Sequence, residues 1–330
     1  ERVDIFGLGP NATVLDAGNN DRHLVVFMPD NTHDFDLSGM ALINGFGGLG
    51  GSTSGALFIL NAGDVRLSAL RFEDNEGLEG GAVGFTIPLG DNSSLEVIDC
   101  DFIGNVSNRY GGAILVDGLD DHQPPAIVTI NRSRFENNEA SRSGGALAVR
   151  GSPRVVIDSS EFIGNVAESF KGMAVKGGAV HWLTFGESSD LMTVRDSLFL
   201  ENQSLDDGGA LSVQGGSTLI ENSTLELNQS RTNDGHALSL DDGATMAAIH
   251  VTLVGFDRTA VDDDPNILVG EDSILALDHT VIWTAGSDGN NECDTSGANA
   301  FVLSNGFNFD TGGACTSQPT DTSGVDPQLW

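Results

Sequence analysis

Apolar residues recur through the middle of the chain in short alternating pairs: Val65/Leu67, Leu95/Val97, Val128/Ile130, Val155/Ile157, Met192/Val194 and Thr218/Ile220. Alternation at period two marks a strand with one buried face. The parity then slips by one, because the next inward candidates are Leu70, Cys100, Ser133, Ser160, Ser197 and Ser223, each two residues ahead of a Phe or Leu. A one-residue slip exchanges the two faces of a strand, so the chain must turn a corner there. A third alternating pair follows: Val83/Phe85, Ile114/Val116, Leu147/Val149, Val180/Trp182, Leu211/Val213 and Leu238/Leu240.

Two motifs punctuate these strands. Phe-x-x-Asn occurs at Phe72/Asn75, Phe102/Asn105, Phe135/Asn138, Phe162/Asn165 and Phe199/Asn202, with a decayed copy at Leu225/Asn228. Each is followed by Gly-Gly-Ala-aliphatic, whose alanines fall at 82, 113, 146, 179, 210 and 237, or Gly-His-Ala in the last copy. The period of 27 to 33 residues is that of a repeat architecture. Three short strands per period, glycine corners and no helical periodicity predict an all-β fold, a right-handed single-stranded parallel β-helix rising about 4.8 Å per coil.

The regular coils run over 65–243, within a β-helix expected to span 1–288. Residues 1–64 read as irregular opening coils with β-like runs at 12–16, 24–27 and 40–44, and Gly55-Ala56-Leu57 as a degenerate first copy of the glycine motif. Two last coils are expected around Ile249–Leu253 and Leu275–Trp283. Residues 289–330, rich in Gly, Asn and Thr, are expected to form an irregular C-terminal cap over the final coil, whose open edge would otherwise recruit other strands. Inside the rod, like should stack on like. The asparagines read as an internal amide ladder that answers backbone groups left unpaired at the corners. Cys100, between Leu70 and Ser133 in its column, reads as a buried filler rather than a nucleophile.

Charge narrows the partners. The chain carries 48 acidic and 15 basic residues, a net charge of -33, and its two lysines are Lys171 and Lys176. Such a surface repels nucleic acid and anionic membranes. No apolar run is long enough to span a bilayer, and nothing at Glu1 resembles a signal peptide. With no initiator Met, the chain is expected to be a processed or excised portion of something longer. Cys293 and Cys315 in the tail can close a local disulfide in an oxidising compartment.

Candidate chemistry sits where the repeat is broken. Asp120-Asp121, Asp206-Asp207, Asp241-Asp242 and Asp262-Asp263-Asp264 lie near Gly or Pro in turns. They read as solvated loop acids, with Asp206, Asp207, Asp241 and Asp242 as candidate calcium ligands from adjacent turns. The corner between Asn and the glycine pair gathers Arg109, Tyr110, Arg142, Phe170, Lys171, Lys176 and Arg231 into a basic and aromatic strip. Of the two modest insertions, 117–127 and 166–176, the second lengthens its corner by six residues and holds both lysines. Two readings of the strip stay open. The cations relieve charge crowding by pairing with Glu136, Glu139, Glu161 and Glu168, or they bind acidic or neutral glycans with Tyr110 and Phe170 as stacking surfaces. Trp182 falls in the inward column and reads as core. His181 falls in the outward column, with Gly84, Leu115, Ala148, Ser212 and Ser239, and is a candidate general base together with Lys171 and Lys176. His236 reads as decay of the motif.

The alternation of Phe-x-x-Asn with Gly-Gly-Ala-aliphatic resembles the repeats of the polymorphic outer-membrane protein family, surface and autotransporter passengers built as parallel β-helices. The tail resembles the C-terminal region of secreted bacterial β-helix proteins termed choice-of-anchor Q, through Glu292-Cys293-Asp294, Ser304–Asn308, Cys315 and Gly324-Val325-Asp326-Pro327. These resemblances imply an extracellular or bacterial cell-surface protein, part of a longer surface protein, that binds a polysaccharide or host glycan. The leading expectation is an adhesion or glycan-binding module. The alternatives are a polysaccharide lyase or glycoside hydrolase with its site near 166–176, and a structural spacer. No membrane insertion by this chain is expected, and calcium is the one cofactor considered.

Overall fold

The computed structural model describes residues 2–28, 32–48, 54–87, 93–118, 126–168, 174–184, 190–232, 235–255, 265–284, 292–295, 297–311, 315 and 318–323. The chain winds as a right-handed parallel β-helix. The first strand of each coil stacks into sheet 1 with 11 strands, the second into sheet 2 with 12, and the third into sheet 3 with 10. Strands pair in parallel with their counterparts one coil away, and the repeat sets the register: Val65, Leu95, Val128, Val155, Met192 and Thr218 are successive partners. In six coils a further two-residue strand, such as Val106–Ser107, forms a narrow sheet 4 on the corner between sheets 2 and 3. No α-helix occurs among the described residues.

The interior is built from columns. Phe72, Phe102, Phe135, Phe162 and Phe199 stack face to face at 4.7 to 4.9 Å between ring centroids, each at most 1% exposed. That spacing is the coil rise, so strand pairing dictates ring stacking. The asparagine column is a continuous ladder in which Asn105 Nδ2 donates to Asn138 Oδ1 at 2.9 Å and to the Phe72 carbonyl at 3.0 Å. Its own Oδ1 accepts from Asn75 Nδ2 and the Asn75 amide. From Asn75 to Asn202 each asparagine thus fills its donors and acceptor while completely buried, which is why an amide can sit in this core.

The Leu70-to-serine column does more than fill space. Ser133 Oγ accepts from the Cys100 amide at 3.2 Å and donates to the Asn131 carbonyl at 3.0 Å, and Ser160, Ser197 and Ser223 repeat the arrangement. The residue ahead of each is left-handed, with φ of 45 to 52° at Asp99, Arg132, Ser159, Asp196 and Asn222, so the following amide turns away from the sheet and needs a side-chain acceptor. Cys100 lies in this column, and burial pushes its thiol up to about 12. An inert buried thiol is what the sequence predicts.

The glycine pair has two separate causes. Gly111 adopts φ +66°, and a Cβ on Gly112 would run into the carbonyl oxygen of Gly145 in the next coil. Gly55 meets Gly81 in the same way, and Leu57 pairs with Val83, so the degenerate Gly55-Ala56-Leu57 copy is a working corner. The opening segment is more regular than its sequence suggests. Arg2–Phe6 (β1), Val14–Asp16 (β2) and Leu24–Phe27 (β3) already take their places in sheets 1, 2 and 3.

At the other end, Thr245–Ile249 and Ile274–Asp278 in sheet 1 head the two expected last coils. The tail adds Phe301–Ser304 to sheet 1, Cys293–Asp294 to sheet 3, and two short strands, Phe309–Asp310 and Thr322–Ser323, to sheet 2. Side chains close it. Asp321 accepts from Ser304 Oγ, the Asn308 amide and the Gln318 amide, and buried Asp310 accepts from the Cys315 amide. Cys293 and Cys315 are joined by a disulfide with 5.5 Å between Cα atoms.

Candidate functional site

The outer face of sheet 3 and the corner leading into it bring most of the singled-out residues together. On each strand the residue after the first inward position points away from the core, and Gly84, Leu115, Ala148, His181, Ser212 and Ser239 are partners in successive rungs. Described members of this row are nevertheless buried. The corner folds back over the strand start: a Cβ on Gly177 would stand 2.9 Å from the His181 Cβ, and one on Gly208 3.0 Å from that of Ser212. Ahead of the glycine pairs, Glu79, Tyr110, Ser143, Lys176 and Asp207 form an outer row. Across from it, Thr86, Asp117, Arg150, Leu183, Gln214 and Asp241 form a second, and side chains reach between the two.

Two crossings dominate. At one, Tyr110 carries the Arg150 guanidinium at 4.8 Å from its ring centroid and that of Arg142 at 5.4 Å. Arg142 Nη1 also donates to Tyr110 Oη at 3.2 Å, and Arg150 Nη2 reaches Asp117 Oδ2 at 2.7 Å. Cation–π contact at partly desolvated positions contributes about 1 kcal/mol, enough to hold an arginine in one place. The ring expected to stack on a sugar is therefore already engaged by guanidinium groups. Arg109 pairs with Glu79 at 3.0 Å. Arg142 has no carboxylate partner among the described residues.

At the second crossing, Lys176 Nζ lies 3.2 Å from both Asp207 Oδ2 and Asp241 Oδ2. Burial opposes its charge, but Asp207 and then Asp241 outweigh burial and hold the ammonium above its usual pKa. The expected calcium ligands thus have other partners. Lys176 takes the place between Asp207 and Asp241, Asp206 accepts from the Val175 amide and Thr232 Oγ1, and Asp242 accepts from Gln214 Nε2. Among the described residues no group of three or more His, Cys, Asp or Glu is placed to hold a metal ion.

His181 lies beneath both crossings. It points outward, as its register predicts, but is 4% exposed rather than free on the surface. Burial, then Lys176 and Arg150, lowers its pKa to about 3, and its Nδ1 has no hydrogen-bond partner among the described residues. The imidazole is neutral at pH 7 and cannot reach a ligand without movement of the corner above it. Trp182 is fully buried, as its column predicts.

The charge-relief pairings are partly those expected. Arg231 meets Glu168 at 2.6 Å, whereas Glu136 and Glu161 pair with Arg134 instead of the strip. His236 is more than decay, since its Nδ1 accepts from the Ser230 amide at 2.9 Å. Phe170, Lys171, Asp120-Asp121 and Asp262–Asp264 lie outside the described residues.

Sequence reasoning passed over Arg150, Asp117 and Glu79, which belong to the same surface. The available signal was the outward column of sheet 3, compared from coil to coil. It also passed over a cleft of about 430 Å³ on the outer face of sheet 1, lined by Arg2, Asp34, Asp36, Asp64, Arg66 and Glu96 among others.

A family model described as the right-handed beta helix region matches residues 56–255, and the chain belongs to that family. Comparison with curated proteins and with solved structures gave no match. The family defines a scaffold, and parallel β-helices of one architecture host unrelated functions, so activity must be argued from the surface.

Proposed function

We propose that this β-helix is an extracellular or cell-surface adhesion module that binds a polysaccharide or surface glycan on the outer face of sheet 3, around Arg109, Tyr110, Arg142 and Arg150. The carrying observation is Arg142. In a chain where acids outnumber bases 48 to 15, its guanidinium is held by Tyr110 yet has no acid partner among the described residues. A planar, preorganised guanidinium is suited to a uronate carboxylate or sugar sulfate. Glu79, paired with Arg109, and Asp117, paired with Arg150, put carboxylate acceptors for sugar hydroxyls on the same surface.

The surface location is supported by the Cys293–Cys315 disulfide, by the repeat's resemblance to polymorphic outer-membrane proteins, and by the tail's resemblance to choice-of-anchor Q regions. A lyase or hydrolase centred on His181 is the weaker reading, because the imidazole is covered. Phe170 and Lys171, which the sequence alone adds, complete the candidate set.

The test is binding of the intact protein to immobilised neutral, uronate-bearing and sulfated polysaccharides, with parallel assays for unsaturated products and new reducing ends. The expected result is binding to an acidic glycan that falls at least about tenfold in Arg142→Ala, equivalent to about 1.4 kcal/mol, without product formation. Binding to none of the panel, or binding indifferent to Arg142, refutes the reading.

A further inference from the structure

The corner between sheets 1 and 2 carries a column of left-handed residues, apart from the surface on sheet 3. Asp99, Arg132, Ser159, Asp196, Asn222, His250 and His279 stand there with φ of 45 to 53°, and every one of them is exposed. Thr224, Thr252 and Val281 pair in successive rungs of sheet 2, so Asn222, His250 and His279, two residues ahead of each, lie one coil apart. Neighbours in the column are close enough for their side chains to meet. Arg132 Nε and Nη2 donate to Asp99 Oδ1 and Oδ2 at 2.8 and 2.9 Å.

Further along the rod the neighbours are two imidazoles. His250 and His279 hold their ring centroids 5.1 Å apart with the planes tilted by 57°. Two imidazoles sharing one ion through N–metal bonds of about 2.0–2.1 Å place their centroids roughly 4.5 Å apart at a right angle and about 5.2 Å at the tetrahedral angle. The observed spacing falls in that range. His279 is also oriented as a ligand. Its Nδ1 lies 2.5 Å from Asp278 Oδ1, and a carboxylate only accepts, so Nδ1 carries the proton and Nε2 keeps its lone pair. Phe307 stacks on the same ring at 5.1 Å and 19°, which fixes its plane.

We propose that His250 and His279 together bind one borderline divalent transition ion, of the zinc and copper class, with Asp278 as a positioning residue. Imidazole nitrogen selects such ions over calcium and magnesium, which take oxygen ligands. Two protein nitrogens are fewer than the three or four of a resident site, so water completes the coordination and the ion exchanges with solvent. A net charge of -33 concentrates cations of any kind at the surface, and the imidazole pair sorts among them. This site does not depend on glycan binding at sheet 3.

The intact protein, stripped with chelator and dialysed, is titrated with zinc(II) by calorimetry and with copper(II) by electron paramagnetic resonance. One zinc ion per chain and a copper signal split by two imidazole nitrogens are expected. His250→Ala and His279→Ala each abolish both, with an unchanged urea midpoint, since Ala69 already holds this column position at φ 50°. Asp278→Ala lowers zinc affinity about tenfold, and Asp278→Asn, which keeps an acceptor for the Nδ1 proton, recovers most of it. A wild-type copper signal with fewer than two imidazole nitrogens overturns the proposal. So does zinc binding that survives the loss of either imidazole, and so does an affinity indifferent to Asp278→Ala.

Discussion

Tyr110 and Lys176 occupy the same position in the repeat, immediately ahead of the glycine pair and two coils apart, and the structure uses them in opposite ways. Lys176 closes the surface: its ammonium bridges Asp207 and Asp241 and has little left to offer a ligand. Tyr110 keeps the surface open: it holds Arg142 by ring and hydroxyl and leaves that guanidinium without an acid among the described residues. A cation held by carboxylates stabilises the rod, whereas a cation held by an aromatic ring stays available. The difference separates a structural clamp from the group proposed to bind a ligand, on one corner of one scaffold.

The largest effect is expected of Lys176→Met. Asp207 and Asp241 would then face each other across a largely covered crossing without a counter-charge, and loss of one member of a buried ion pair costs about 3 kcal/mol. The urea midpoint should fall accordingly. Should it hold, Lys176 is no clamp.

Next in size is the pH dependence set by His181, which lies beneath both crossings. Its folded pKa of about 3 lies below the ordinary 6.5, so between those values the unfolded chain binds the extra proton. Stability contributed by the neutral imidazole is therefore present above about pH 6.5 and is lost as pH falls toward 3, with a limiting slope near 1.4 kcal/mol per pH unit. Denaturation curves across that window should flatten in His181→Gln. An unchanged slope would show that the imidazole is not buried as described.

Arg142→Ala should leave the urea midpoint within about 0.5 kcal/mol while lowering acidic-glycan binding about tenfold, the reverse of the Lys176→Met pattern. The smallest effect belongs to Tyr110→Phe, which keeps the ring and removes the hydroxyl that accepts from Arg142. One neutral-acceptor hydrogen bond to a charged donor at a part-exposed site contributes about 1 kcal/mol at most, so binding should weaken only a few-fold. A complete loss of binding would mean that the hydroxyl, rather than Arg142, meets the ligand.

Much of the interior was legible residue by residue. The inward pairs, the Phe stack, the Asn ladder, the inert Cys100 and the buried Trp182 follow from parity and period, because a solenoid repeats one local environment and each column reads the same position several times. β1 escaped because Arg2–Phe6 alternates apolar residues with charges outside any recognisable copy of the motif. The serine column was legible as a size gradient but not as a hydroxyl ladder, since the need for it arises from left-handed φ at the preceding residue.

At the candidate site, sequence placed Arg109, Tyr110, Arg142, Lys176 and Arg231 on one corner. It could not say which acid each would meet. Arg150 lies 40 residues from Tyr110 in the chain and is brought over its ring only by the return of sheet 3 one coil later.

The amino-acid sequence by itself determined the coil: its period, its three faces, its interior columns and the corners where exceptions fall. Those properties depend on contacts between equivalent positions of adjacent repeats, which periodicity encodes directly. Tertiary structure decided which corner cation is neutralised and which is left open, and that an outward-pointing His181 is covered. Side chains several coils or half a coil apart settle those outcomes, and no periodicity records which of them meet.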